Sequence, residues 1–221
     1  MTEQARPDIV ARLHNRAIEE ATDYVSLHLD DCPVILDDRD MMGHYVASQF
    51  IDLKSGTWLE FGVWTGTSIN FFSEHLPQLT FYGFDSGQGL PEDWSSGFPT
   101  MRGTFNMHKT LPDVNPNVEL INGWFKDTIP QLVEHRSDDL DKLVCLYIDS
   151  DLYSSCVTVL EGLQEYVKPG LLILFDEYLG FPNWRKGEHK AWKEFCSKYR
   201  IHYRYRAFHG WMAFIEVTDG P

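Results

Sequence analysis

The chain of 221 residues, 43% hydrophobic and 14% aromatic, carries enough apolar mass for one substantial core, which excludes a disordered or low-complexity protein. Its 33 acidic against 19 basic residues give a formal charge of -14, which opposes binding to nucleic acid and to anionic membrane surfaces. No stretch approaches the roughly 18 uncharged apolar residues of a membrane helix, and Met1 to Asp8 lack a secretory pattern, so a cytoplasmic protein is expected.

In chain order, Asp8 to Leu29 place Ile9, Val10, Leu13, Ala17, Ile18, Ala21 and Val25 at three- and four-residue spacing. This predicts an amphipathic helix that must pack on something. A loop at Cys32-Pro33 leads to a second predicted helix over Asp38 to Leu53, where His44 and Tyr45 either border a site or belong to the core or surface. Residues 1–56 are expected to form a helical extension or lid, and residues 57–221 the rest of a single domain.

From Thr57 the pattern alternates. Strands are predicted at Thr57 to Phe61, Leu79 to Phe84, Val118 to Ile121, Val144 to Ile148 and Leu171 to Phe175, with helices at Thr67 to His75, Phe125 to Glu134 and Ser154 to Val167. Such alternation argues an α/β fold with a parallel sheet and right-handed crossovers. The segment from Asp85 to Thr110 reads as a functional loop, whose Trp94, Phe98 and Met101 are placed to close over a ligand. After the fifth strand, Gly180 to Lys190 predicts a loop entering a helix, with Trp184, Arg185 and His189 either at an acceptor or on a solvated helix start. Ile201 to Phe208, His209-Gly210 and Trp211 to Val217 predict a hairpin. Its basic run, Lys198 to Arg206, reads as a solvated edge strand or a patch for something acidic. Cys32, Cys145, Cys156 and Cys196 form no C-x-x-C pair and read as free, mostly buried thiols.

The chemistry gathers where strands end. The run Leu143 to Ile148 passes into Asp149-Ser150-Asp151, and Leu171 to Phe175 into Asp176-Glu177. Apolar runs of this length are strands buried on both faces of a parallel sheet, and such sheets bind ligands at their carboxyl ends. Four acids at one sheet edge repel one another unless a cation or a tuned proton sits among them, although any single Asp also reads as a helix cap. The first strand enters a Gly-x-x-x-Gly turn: Gly62 and Gly66 permit close approach of a ligand, or serve tight helix packing, and Glu60 before them can hold an ammonium or a hydroxyl. The spacing is not the Gly-x-Gly-x-x-Gly of dinucleotide sites, which disfavours a nicotinamide-dependent reductase. Phe84-Asp85-Ser86 ends the second strand with an acid suited to ribose hydroxyls. Gly123-Trp124 follows the third with a flat aromatic suited to a purine, or to the core. Together they read as a nucleoside site with no lysine-bearing phosphate cradle.

At these residues the sequence resembles the class I S-adenosylmethionine-dependent methyltransferases, and within them the macrocin O-methyltransferase family, which methylates sugar hydroxyls in antibiotic biosynthesis. The resemblance lies in Glu60 to Gly66, Gly83 to Ser86 with Gly89 to Trp94, Gly123 to Pro130, Asp149 to Tyr153, and Asp176-Glu177-Tyr178. It implies a seven-stranded, mostly parallel Rossmann-like sheet that ends in the antiparallel hairpin. It further implies that Glu60, Gly62, Gly66, Thr67 and Ser68 hold the methionine end of S-adenosylmethionine, Asp85 with Ser86 the ribose, and Gly123 with Trp124 the adenine. Asp149, Asp176 and Glu177 would bind Mg2+, with Asp149 also beside the cofactor, and Asp151 would be the general base. One departure is that the family has a second Asp where this chain has Glu177. The expected activity is metal-dependent methyl transfer to a hydroxyl of a sugar or glycosylated small molecule. A catechol or phenol acceptor and a non-catalytic binding subunit are the alternatives, and a homodimer is the candidate assembly.

Overall fold

The computed structural model describes residues 8–30, 34–97 and 100–220; Cys32 and Phe98 lie outside them. Two helices come first, α1 (Ile9–Ser26) and α2 (Arg39–Ser48), each started by an Asp carboxylate that accepts an amide of the first turn: Asp8 from Ala11 and Asp38 from Met41. There follow β1 (Thr57–Phe61), α3 (Thr67–His75), β2 (Thr80–Asp85), β3 (Val118–Asn122), α4 (Phe125–His135), the short α5 (Ser137–Leu140), β4 (Leu143–Ile148) and α6 (Tyr153–Gly162). The chain ends with β5 (Leu172–Phe175), α7 (Glu188–Tyr199), β6 (His202–His209) and β7 (Met212–Asp219).

The strands form one seven-stranded sheet in the order β3-β2-β1-β4-β5-β7-β6. The first five are parallel, and β7 runs antiparallel to both β5 and β6. Alternation along each strand feeds two cores. On one face Leu59, Phe61, Ile148 and Phe175 pack with Ile129, Val159 and Trp192; on the other Trp58, Phe81, Tyr147 and Leu174 pack with Met42 and Val46 of α2, Phe50 just after it, and Phe72 of α3. The chain crosses from β1 to β3 on one side and returns to β4 on the other. This reversal opens a crevice at the carboxyl ends of β1 and β4, the place where open α/β sheets bind ligands.

Several expected boundaries move. Helix α2 stops at Ser48 rather than Leu53, and α6 stops at Gly162 with a separate 3-10 turn over Gln164–Tyr166 instead of running to Val167. Helix α1 buries only Ala17 and Ala21, while Ile9, Leu13 and Ile18 stay about half exposed or more, because α1 meets the body through its C-terminal half. Tyr24 makes that junction, its hydroxyl hydrogen-bonded to Tyr205, which in turn bonds Tyr178 at 2.8 Å. The basic run is split: Lys198 lies in the last turn of α7 and pairs with Glu161, Arg200 caps that helix, and only His202 to Arg206 lie on edge strand β6, where Arg204 and Arg206 share Glu216 of β7. Cys145, Cys156 and Cys196 are free and buried. Among the described residues no helix is long and apolar enough to cross a membrane.

Candidate active site

The crevice is a cavity of about 840 Å³, lined in part by the turn that follows β1. Gly62 has φ +98°, and a Cβ there would overlap the carbonyl oxygen of Asp149, so only glycine lets the turn lie against the loop after β4. Glu60, two residues earlier, is fully buried on a face otherwise made of large apolar side chains. Ser68 donates to its Oε1 at 2.7 Å, and its Oε2 has no partner. Burial raises this carboxyl to about 8, against the pull of the Ser68 hydroxyl.

Asp85 braces the turn. Its Oδ2 accepts from the amides of Val63 (3.1 Å) and Trp64 (2.8 Å), and its Oδ1 from Gly87 (2.7 Å). These bonds leave Oδ1 capacity for one further donor. Ser86 accepts from the Gln88 amide, and the Gly123 amide donates to the Asp85 carbonyl, which brings Trp124 to the start of α4. Of the residues expected at the cofactor, Gly62, Thr67, Ser68, Asp85, Ser86, Gly123, Trp124 and Asp149 line the cavity. Glu60 and Gly66 stand behind its wall; Glu60 reaches it through Ser68.

The acids gather opposite. Asp149, Asp176 and Glu177 each present an oxygen, and the three atoms lie within 4.8 Å of one another. Asp176 is the anchored member: Tyr147 donates to Oδ1 at 2.5 Å, and Arg39 donates to Oδ1 at 2.6 Å and to Oδ2 at 3.2 Å. Glu177 keeps a buried Oε2 without a partner. Asp151 is nearly buried and adopts φ +60°, a left-handed conformation uncommon for a residue with a side chain. Burial, and then the negative charges of Asp176 and its neighbours, push the carboxyls of Asp149 and Glu177 well above the usual range. The same causes raise Asp151 to about 7. Like charges this close keep some of these groups protonated unless a cation joins them.

Two residues that motif spacing did not single out complete the site. Arg39, the first residue of α2, supplies the guanidinium that pairs with Asp176. Burial disfavours its charge, but Asp176 and Tyr147 outweigh that and hold it protonated. Glu188 opens α7, is fully buried, and binds the loops after both β4 and β5. Other candidates fall elsewhere. Trp184 and His189 join an aromatic cluster with Tyr24, with Arg185 stacked on Trp184. His44 packs on Phe71 and His75, and Tyr45 reaches the carbonyl of Arg206. From the long loop, Leu90, Arg102 and Phe105 line the cavity, whereas Trp94 and Met101 do not.

Arg39→Ala tests the charge balance. Glu60 and Asp151, with folded-state values near 8 and 7, lie above ordinary carboxylates, so the folded state binds more protons than the unfolded one. Their contribution to stability is then fully present at low pH and is lost as pH rises through those values. Without added metal the variant should melt below the unmodified chain, by a margin that widens between about pH 5 and about pH 8. A margin constant across that range would show that Arg39 does not balance the acids.

Seven strands in this order, with a glycine turn after β1 and an antiparallel C-terminal hairpin, make a Rossmann-like methyltransferase fold. Solved structures with this architecture include a calicheamicin methyltransferase (TM-score 0.62, 17% identical, covering 98% of this chain and 94% of that one). Another is the O-methyltransferase NovP (TM-score 0.60, 19% identical, 95% and 99% covered). Residues 44–214 match the macrocin-O-methyltransferase (TylF) family, and the chain belongs to it. Its curated relatives include mycinamicin III 3''-O-methyltransferase of Micromonospora griseorubida, 28% identical over 66% of this chain and 64% of that protein. The 4'-O-methyltransferase of a dimethoxyrhamnosyl-tetracenomycin C from Streptomyces olivaceus is 26% identical over 63% and 59%. The chain spans 54% to 64% of the length of the curated relatives it matches.

Proposed function

We propose that this chain is an O-methyltransferase that moves a methyl group from S-adenosylmethionine to a hydroxyl of a sugar or glycosylated small molecule, with a divalent ion such as Mg2+ in the site. The observation that carries this reading is the convergence of Asp149, Asp176 and Glu177 within 4.8 Å beside the glycine turn. Relatives named for methylating glycosides support the acceptor class.

The residues fit a hard cation. They offer only carboxylate oxygens, one of them the buried, partnerless Oε2 of Glu177, and their repulsion would be relieved by positive charge. Glu177 has one methylene more than Asp, and one of its carboxylate oxygens still falls within 4.8 Å of those of Asp149 and Asp176. When bound, Mg2+ supplies a Lewis acid that lowers the pKa of the acceptor hydroxyl. S-adenosylmethionine supplies the electrophilic methyl.

The chain's own residues do the rest. Asp151, poised near neutrality by burial and Asp176, takes the proton of the acceptor hydroxyl as the methyl arrives in line. Glu60 orients Ser68 on the cavity wall at the methionine end. Asp85, with a lone pair left on Oδ1, receives a ribose hydroxyl, and Trp124 offers its ring to the adenine. Phe71, Phe72 and Leu90 give the cavity an apolar wall. Positioning then provides most of the rate.

The cofactor half is tested by calorimetric titration of S-adenosylmethionine. The unmodified chain should bind, and Gly62→Ala should lose about tenfold or more, because the new Cβ clashes with the Asp149 carbonyl and strains a left-handed turn by about 1–3 kcal/mol. Absence of binding by the unmodified chain would remove the methyltransferase reading altogether.

A further inference from the structure

We propose that Glu188 is a positioning residue that fixes the loop after β4 against the loop after β5, and so pre-forms the carboxylate set assigned above to the metal and the proton; the inference rests on that assignment. Strands β4 and β5 pair as far as Ile148 and Phe175, and one more bond runs from the Asp176 amide to the Ile148 carbonyl. Past that point the acid-bearing loops need another tie. Glu188 provides it from the first turn of α7.

Its Oε1 accepts from the Ser150 amide at 3.3 Å and faces the Ser150 hydroxyl at 3.4 Å, and its Oε2 accepts from the Glu177 amide at 3.1 Å. Ser150 stands between Asp149 and Asp151; Glu177 follows Asp176. One carboxylate therefore touches the backbone beside all four acids. Glu188 is fully buried, and among the described residues it makes no ion pair. A buried acid without a cation is costly and is not a general stabilising device. Here it satisfies amides that would otherwise be buried without partners, in loops that must hold like charges together. It also braces Asp151, whose φ of +60° has to be imposed by its surroundings. Only a carboxylate can accept at both ends, since the amide of Gln turns one acceptor into a donor.

The test is Mg2+ binding by calorimetry to the full chain without cofactor, at a temperature where circular dichroism shows each variant folded. Glu188→Gln should weaken Mg2+ binding about 10- to 100-fold, as losing a partner behind metal ligands does. Glu188→Asp keeps the carboxyl group but, one methylene shorter, cannot span both loops, and should fall at the low end of that range. A residue that merely supported the fold would lower the melting temperature and leave Mg2+ affinity alone. Wild-type affinity in either folded variant, with binding lost in Asp149→Ala, overturns the inference and spares the metal site. Wild-type affinity in Asp149→Ala overturns the metal site itself. If neither Glu188 variant folds, amide hydrogen exchange of the unmodified chain decides. Ser150 and Glu177 amides should be protected, and exchange as fast as in exposed loops overturns the inference.

Discussion

Asp151→Asn should lower the turnover of methyl transfer by about 10²- to 10⁴-fold, the range that a general base contributes, and leave S-adenosylmethionine affinity close to that of the unmodified chain. The substitution is nearly isosteric, and Asn accepts a left-handed φ as readily as Asp does, so the turn at +60° survives. What disappears is the group able to hold a proton. Asp151 is raised to about 7 by burial and by Asp176. As a base it works when deprotonated, so the rate of the unmodified enzyme rises with pH. A cation joining the cluster favours the charged form, which places the acid limb of the profile at or below that value. The Asn variant should show no such limb. An unaltered rate and profile would assign the proton to bulk water or to another residue.

Asp149→Ala should have effects of opposite sign on stability and activity. Removing one of three crowded carboxylates relieves repulsion, so the metal-free variant should melt at or above the unmodified chain near pH 8. Its response to metal should vanish. A ligand that binds only the folded state stabilises by about 2.7 kcal/mol at a hundred times its dissociation constant. Mg2+ should give that gain to the unmodified chain and little to the variant, and methyl transfer should fall with it. If the variant gained as much from Mg2+ as the unmodified chain, Asp149 would not be a ligand.

Strands β4 and β5 were legible because each is a short run of large apolar residues ended by polar ones, the pattern of a strand buried on both faces. The same runs carry the acids, so Asp149, Asp151, Asp176 and Glu177 could be placed at one sheet edge from sequence, and the structure puts their oxygens in one cavity. Arg39 was not legible. It lies 137 residues from Asp176, on a helix whose sequence marks a cap and an apolar stripe, and only the packing of α2 across the sheet brings its guanidinium to the acids. Glu188 escaped for a related reason: an acid in the first turn of a helix is ordinarily a solvated helix start. Its burial follows from the path of residues 178–187, which no local periodicity encodes. Helix α1 shows the reverse error. Its stripe of apolar residues is real, yet among the described residues its buried positions, Ala17 and Ala21, lie toward the end near Tyr24, while Ile9, Val10 and Leu13 stay exposed.

Transfer of the labelled methyl group of S-adenosylmethionine to a panel of glycosides, run side by side with Mg2+ and with EDTA, decides whether the chain is a metal-dependent glycoside O-methyltransferase. Labelled glycoside is expected with Mg2+ and almost none with EDTA. Transfer at full rate in EDTA would contradict this, because the carboxylates would then be gathered for something other than a metal.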